Sequence, residues 1–173
     1  SEGEWMLSYR FMSMDMEGLR RGRGGISPAD AFAANYTVAP MSMSMDMHMF
    51  GGMKAISDKN TLMLMVPYLE TEMDHAIFPM ASPLIGLNGG ASRFTTNSSG
   101  WGDLKAGILH TMWQEDGRNV LIAGTIGLPT GSIGEKGIIP GPGGLIDRQL
   151  PAPMQLGSGS FEFRPTVTYN SSY

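Results

Sequence analysis

The chain has 173 residues and a formal net charge of −4, so it is long enough for one domain, and its overall charge disfavours nucleic acid as a partner. It contains no cysteine, which excludes disulfides and thiolate metal sites. The longest apolar run, residues 62–69, includes Pro67 and is far shorter than the ~20 residues that a membrane-spanning helix needs. The sequence therefore argues against a helical membrane protein.

The first strong pattern is a two-residue alternation in residues 4–16. One side of this segment carries large apolar side chains: Trp5, Leu7, Tyr9 and Phe11. The other side carries polar and thioether side chains: Met6, Ser8, Arg10, Met12, Met14 and Met16. Because successive side chains of a β-strand point to opposite faces, the alternation predicts a long strand with one apolar face.

Five more strands are predicted after this first one. Strand two, residues 36–56, alternates methionine with serine, aspartate and histidine. Strands three, four and five are expected at residues 61–71, about 94–113 and 119–130. In strand six, residues 161–170, aromatic and apolar side chains alternate with polar ones. Several of these segments exceed the usual strand length of ~5–6 residues.

The connections between the strands alternate between short and long. Residues 57–60 and 114–118 are compact polar turns, whereas residues 17–35, 72–93 and 131–156 form long links. Outer-membrane barrels show this alternation because their periplasmic turns are short and their extracellular loops are long. The sequence therefore predicts an all-β, antiparallel up-and-down transmembrane β-barrel in the bacterial outer membrane, surrounded by its lipids.

Aromatic residues are expected to form two belts at the membrane interfaces. With the short turns at the periplasmic side, Trp5, Trp113 and Tyr169 fall near the periplasmic ends of strands, and Tyr36 and Tyr68 fall near the opposite rim. The general preference of aromatic residues for strands explains the same positions equally well.

Six strands are too few for a closed barrel, for which eight is the practical minimum. An open sheet edge in lipid would leave backbone groups unpaired at a cost of several kcal/mol each. We therefore expect residues 1–173 to form a single domain, incomplete at its C-terminus, that is the N-terminal portion of a larger barrel. The alternative is a homo-oligomer in which several copies share one barrel.

Several stretches together resemble a known family: GEWMLSYR at 3–10, MDMHM at 45–49, GWGDLK at 100–105, GLPTGS at 127–132 and MQLGSGS at 154–160. They are similar to bacterial outer-membrane proteins grouped near the phenol-degradation meta-pathway "transporter" family, in a methionine-rich subgroup. The resemblance covers nearly all of the chain and matches the N-terminal part of a longer barrel. It implies an outer-membrane barrel that passes small, often hydrophobic molecules, and it supplies no catalytic residues.

Methionine is the first candidate for site chemistry, because thioethers are soft ligands that select Cu(I), sometimes together with a histidine. An inner Cu(I) site is hypothesised from five residues: Met12, Met14, Met63, Met65 and His48. The methionines of strand two fall on the face opposite to His48, and we expect them to be lipid-facing hydrophobes. Plain hydrophobic packing of all the methionines is the alternative to a copper site.

Charged residues on the polar faces are the next candidates. Four of them are expected to face the barrel lumen: Arg10, Asp46, Glu162 and Arg164. They would either pair with one another and plug the interior or set the selectivity of a channel. A further cluster, Met73-Asp74-His75 with Met80, is expected in an external loop, where it would hold metal or be an incidental feature of a mobile loop.

Passive or gated passage of a small molecule, with a hydrophobic molecule as one option, is the leading functional hypothesis. One alternative is copper handling, with copper as the sole cofactor considered, and another is a structural barrel whose loops 72–93 and 131–156 bind a protein partner. An enzyme is not predicted, because the zinc motif His-Glu-x-x-His, the Gly-x-Ser-x-Gly elbow and the Walker loop do not occur in the sequence. A residual hydrolase hypothesis would need a serine partner for a histidine, and none is identifiable.

Overall fold

The computed structural model describes residues 3–34, 36–79, 82–115, 117–141 and 144–171. Most of the chain is antiparallel β-structure, arranged as a curled, half-barrel sheet. The strands are β1 (Trp5–Glu17), β2 (Leu19–Arg21), β3 (Gly24–Ile26), β4 (Val38–Ala55), β5 (Asn60–Ile77), β6 (Arg93–Trp101), β7 (Leu104–Glu115), β8 (Arg118–Leu128), β9 (Lys136–Gly141), β10 (Gly144–Gln149) and β11 (Glu162–Ser171). The short helices are α1 (Pro28–Ala33), α2 (Ser82–Leu87) and a 3-10 turn (Ala152–Met154).

The main sheet follows the chain in an up-and-down order, β1-β4-β5-β6/β7-β8-β11, and every neighbouring pair is antiparallel. The strands β6 and β7 occupy one position in the sheet, because both pair with β5: Tyr68 lies opposite Trp101 and Met65 lies opposite Lys105. The strand predicted for residues 94–113 is thus two strands, interrupted at Gly102 and Asp103. The predicted antiparallel up-and-down order is confirmed.

Two of the long connections contain small hairpins. The strands β2 and β3 pair with each other, and so do β9 and β10. The helix α1 begins with a capping box in which Ser27 and Asp30 satisfy each other's backbone N–H groups. No helix among the described residues combines the length and the apolar character needed to cross a membrane.

The third predicted strand is longer than expected, since β5 runs to Ile77 rather than ending near Thr71. The prediction of an external loop from residue 72 onward was therefore wrong for residues 72–77. In this stretch the exposed and buried side chains still alternate, as in Glu72 and Met73. Residues 72–77 resemble a loop in the sequence because they are rich in polar side chains. The side chains that bury Met73 come from a distant segment, which the local sequence does not show.

The antiparallel register divides the side chains of the sheet into two faces. We call one the methionine face, because directly opposed residues on β1, β4 and β5 bring most of the methionines to it: Met6, Met12, Met14, Met16, Met43, Met45, Met47, Met49, Met53, Met63, Met65 and Met73. We call the other the aromatic face, whose large side chains are Trp5, Leu7, Tyr9, Phe11, Phe50, Leu62, Leu64, Val66, Tyr68, Trp101, Ile108, Ile122, Ile126, Phe163, Val167 and Tyr169.

A β-bulge adjusts this division on β7. The register shifts between Thr111 and Trp113, so that Met112 is the extra residue and Trp113 lies opposite Val120 on the aromatic face. Tyr169 of β11 also lies opposite Val120, so Trp113 and Tyr169 occupy one level near the short turn between β7 and β8. The predicted grouping of these two aromatic residues at the short-turn end agrees with this register.

The buried core lies on the methionine face, where the long connection between β8 and β11 folds back over the sheet. Met154 of the 3-10 turn is 0% exposed and forms a cluster with Met43, Met73 and Leu150. This connection is held near its ends by close backbone contact between Gly131 and Gly157. A Cβ atom on Gly157 would collide with the Gly131 carbonyl group and with the Asp103 carboxylate.

The first prediction concerns this close approach. Replacing Gly157 by alanine should lower the free energy of unfolding by about 1–3 kcal/mol, because the contacting atoms are mostly backbone and cannot move aside cheaply. Denaturant titration of the purified protein measures the change. Gly134→Ala is the matched control, since a Cβ there meets nothing within 4 Å. Equal effects of the two substitutions would contradict the proposed contact.

Candidate functional site

The methionine face is organised in rows that cross three strands. Two of these rows consist of methionine alone, Met6–Met53–Met63 toward the short-turn end and Met16–Met43–Met73 toward the long-loop end. Between them lie four mixed rows, to which β5 contributes Met65, Pro67, Leu69 and Thr71. The surface is thus apolar and polarisable, and its long unbranched side chains adapt readily to a ligand.

The residues hypothesised to bind Cu(I) do not form one site. Met12, Met14, Met63 and Met65 all lie on the methionine face, but the first two align with the middle rows and the last two lie near the opposite end of β5. His48 lies on the aromatic face, where its Nδ1 is 2.8 Å from the Tyr9 hydroxyl. The hypothesis that His48 joins the other four is therefore wrong, because strand alternation separates it from them.

The methionines of β4 were expected on the same side of the sheet as the apolar side chains of β1, and the register contradicts this shared placement. Met49 lies directly opposite Arg10, and Met47 lies directly opposite Met12. The β4 methionines therefore share a face with the polar and thioether side of β1. The sequence of each strand gives two alternating sets, but only the pairing register shows which set of one strand matches which set of the next.

The four charged candidates are divided by the same register. Arg10, Glu162 and Arg164 lie on the methionine face, and Glu162 forms a 2.8 Å ion pair with Arg164 two residues along β11. Asp46 lies on the aromatic face, opposite Ser13 and Glu70, so its assignment to the side of Arg10 was wrong. Among the four candidates, the structure thus shows one pair, an exposed one between two residues of the same strand.

Met73, Asp74 and His75 lie on β5 rather than in an external loop, and Met80 lies outside the described residues. Asp74 points to the aromatic face and accepts a 2.6 Å hydrogen bond from the Thr95 hydroxyl. Met73 and His75 are buried on the methionine face, at 6% and 8% exposure. The cluster is thus divided between the two faces, and the sequence named Met73 and His75 but did not show that they are buried on a strand.

His75 occupies an unusual environment at the long-loop end of β5, well beyond the apolar part of the aromatic face. Its ring stacks on Phe94 at 4.7 Å, and its Nδ1 has no hydrogen-bond partner among the described residues. Burial lowers the pKa of His75, and the nearby backbone of Phe94 and Met73 and the charge of Asp74 offset this only in part. Burial therefore favours the neutral form of this imidazole.

His75 also lines a cavity that borders the methionine face, with a volume of about 740 Å³. Its walls come from β5, β6, α2, β9, β10, the start of β4 with the residues just before it, and the residues just after β10, and they are mostly apolar. The lining residues are Tyr36, Thr37, Val38, His75, Leu84, Phe94, Thr96, Ile139, Pro140, Ile146, Arg148, Gln149, Leu150 and Pro151. A concave apolar space with a few polar groups is the usual form of a small-molecule site.

Beside this cavity, hydrogen bonds from the sheet hold the 3-10 turn in place, and we call this group of contacts the first anchor. The Ser98 hydroxyl donates a 2.6 Å hydrogen bond to the Met154 carbonyl and lies 2.7 Å from the Thr71 hydroxyl. The Thr96 hydroxyl donates to the Met154 sulfur at 3.2 Å. These contacts hold the connection between β8 and β11 against the methionine face.

A second anchor brings three of the sequence motifs together. One carboxylate oxygen of Asp103 accepts a 2.9 Å hydrogen bond from the Gly131 N–H, and the other accepts 2.7 Å bonds from the Ser158 N–H and hydroxyl. Thr130 adds a 2.8 Å bond from the Leu104 N–H to its hydroxyl. The Gly-x-Gly-Asp and Leu-Pro-Thr-Gly motifs were the signal for this anchor, although the sequence does not say that they meet.

The aromatic face has an ordered belt at mid-height. Rings on four strands make successive contacts, from Tyr9 to Phe50 at 5.4 Å, from Phe50 to Trp101 at 6.1 Å and from Trp101 to Tyr68 at 5.2 Å. Below the belt the face is apolar down to Trp5, over which the Lys54 ammonium lies at 4.8 Å. Above the belt the face is polar and acidic, with side chains that include Ser44, Asp46, Glu70, Glu72, Asn97 and Ser99.

Comparisons with known proteins give no match: no protein-family model fits the chain, and no curated protein or solved structure is significantly similar to it. Among the described residues, histidine and carboxylate side chains do not gather in threes where they could hold a metal ion. The functional proposal therefore depends on the two faces of the sheet and on the connection between β8 and β11 that covers part of one face.

The second prediction concerns the Asp103 anchor. Asp103→Asn should release residues 132–157 to faster limited proteolysis and lower the free energy of unfolding by about 1–2 kcal/mol, because an amide cannot replace the ionised acceptor. The control is Asp147→Asn in the same connection, whose 3.8 Å ion pair with Lys136 is exposed and should contribute almost nothing. Proteolysis that is unchanged in Asp103→Asn would show that the anchor does not hold the connection.

Proposed function

We propose that the chain forms part of the wall of an outer-membrane β-barrel that lets a small, apolar molecule pass. The observation that carries this proposal is the opposite character of the two faces. One face is an apolar band bordered by aromatic rings, and the other is a thioether surface with a connection folded onto it. In a barrel of this kind the first face meets lipid and the second lines the interior.

The apolar band is strongly exposed in the chain alone. Leu7, Val167 and Phe163 are 83%, 74% and 69% exposed, and they belong to a continuous surface across the sheet. Contiguous apolar patches of this kind are rare on soluble monomers and mark surfaces that are covered by lipid or by another protein. On β5 and β11 the band runs roughly 20 Å along the strand at about 3.3 Å per residue, which a strand tilt of about 40° reduces to roughly 15 Å of the ~25 Å apolar height of outer-membrane barrels.

A bilayer requires that the two edges of the sheet be closed. Among the described residues, the outer edges of β1 and β11 pair with no further strand. Additional strands or a second copy of the chain would satisfy these backbone groups. The β1 and β11 strands run in opposite directions, so the β1 edge of one copy would meet the β11 edge of another in antiparallel fashion.

The route for the cargo follows from the position of the cavity. The 740 Å³ space lies at the long-loop end, beside the buried connection and above the methionine rows. A small apolar molecule would enter there and then contact the thioether surface toward the short turns. The connection that contains Met154 is placed to narrow this route, which makes the passage gated rather than open.

The third prediction tests the membrane placement on one strand. Val167→Arg should destabilise the lipid-inserted protein by about 2–4 kcal/mol, because its side chain lies on the proposed lipid face. Thr166→Arg, the neighbouring position on the methionine face, should have a much smaller effect. Both residues are exposed in the chain alone, so a water-soluble fold would tolerate both changes equally. Equal unfolding free energies in vesicles would therefore contradict the proposal.

The fourth prediction tests passage and gating. Vesicles with a lipopolysaccharide outer leaflet should take up the apolar dye N-phenyl-1-naphthylamine faster when they contain the protein. The double change Asp103→Asn and Ser98→Ala should increase that rate severalfold, because it weakens both anchors of the narrowing connection. Ser99→Ala, at the adjacent exposed position on the other face, is the control. If neither the protein nor the double variant accelerates uptake, the interior is plugged and the chain has a structural role.

A further inference from the structure

The buried end of the methionine face has a composition that packing alone does not require. Met43, Met73 and Met154 come from three separate segments and form one buried cluster with Leu150. Met45 packs against this cluster, and Met16 lies directly opposite Met43 at 38% exposure. Leucine or isoleucine would fill a dry core with better-defined side-chain conformations, whereas here the thioethers converge from β4, β5 and the 3-10 turn.

A histidine with an unsatisfied ring nitrogen accompanies these sulfurs. His75 lies two residues from Met73 on the same face of β5, and it borders the cavity together with Thr96 and Leu150. Both of those residues contact the cluster, since Leu150 is one of its members and Thr96 binds the Met154 sulfur. A buried polar atom without a partner normally lowers the stability of the fold, so its presence points to a ligand.

We propose that Met43, Met73, Met154 and His75 form a binding site for a soft monovalent metal ion, Cu(I) in the cell. Thioether sulfur combined with neutral imidazole is the donor set that selects Cu(I) over the harder divalent ions. The Thr96 hydroxyl uses one lone pair of the Met154 sulfur and leaves the other for a metal ion. Met16 and Met45 lie at the edge of the cluster, where an arriving ion would meet thioethers first.

This site differs from the inner copper site hypothesised from the sequence, although it shares Met73 and His75 with the second cluster that the sequence singled out. It also goes beyond the passage of an apolar molecule. It uses none of Met12, Met14, Met63, Met65 and His48. The all-methionine row Met6–Met53–Met63 has no histidine beside it in the register of β1, β4 and β5, which makes it an internal comparison. Binding that depends only on the number of thioethers would use either row.

The experiment is an anaerobic titration of the full chain in detergent micelles with Cu(I), in competition with the chromogenic chelator bicinchoninate. One Cu(I) should bind per chain, and Met73→Leu and His75→Phe should each weaken binding by roughly tenfold or more. Met63→Leu, in the comparison row, should leave the affinity unchanged. Leucine preserves the volume of methionine, and circular dichroism would verify that each variant remains folded.

X-ray absorption of the copper-loaded protein identifies the atoms bound to copper, so it distinguishes the loss of a ligand from a change in packing. Sulfur ligands together with one nitrogen ligand are expected, and the nitrogen contribution should disappear in His75→Phe. The proposal is overturned if the folded chain does not retain Cu(I) against the chelator, if Met73→Leu binds as tightly as the original chain, or if Met63→Leu weakens binding equally. A copper spectrum without nitrogen in the original chain would likewise remove His75 from the site.

Discussion

Backbone pairing between long antiparallel strands is the constraint on which the rest of this structure depends. Once β4 pairs with β1 in a register that places Met49 opposite Arg10, every other side chain of the two strands is assigned to a face. The same register continues through β5 and carries the division across the sheet. The bulge at Met112 adjusts it locally and keeps Trp113 level with Tyr169. The apolar band and the methionine rows are both consequences of this pairing.

The connection between β8 and β11 turns a two-faced sheet into an interior with a buried cluster. Asp103 holds the two ends of the connection, and Ser98 and Thr96 hold Met154 at its middle. Hydrogen bonds to a carboxylate are stronger than those between neutral groups, so a single side chain can organise a long segment. The proposed route for an apolar molecule and the proposed metal site share this region. Movement of one connection would therefore affect both.

The candidate site was predicted only in part, and the errors have a common cause. The residue types were recognised, since thioethers and two histidines were selected from the sequence. His48 stands among methionines in the sequence and is separated from them by strand alternation. His75 was grouped with Met73 in an expected external loop, yet both side chains are buried on β5, where Met73 packs against residues of a distant connection. Burial of this kind depends on long-range contacts, which no local pattern encodes.

The sequence by itself determined the long strands of the main sheet and their order along the chain. Two-residue alternation marks strands, and short turns between long strands require antiparallel neighbours, so the up-and-down sheet follows from local chemistry. The tertiary structure alone decided which alternating sets share a face, how far β5 extends, and that the connection carrying Met154 folds onto the methionine face. The physical reason is that backbone hydrogen bonds fit equally well in neighbouring registers. Only the packing of distant side chains selects one of them.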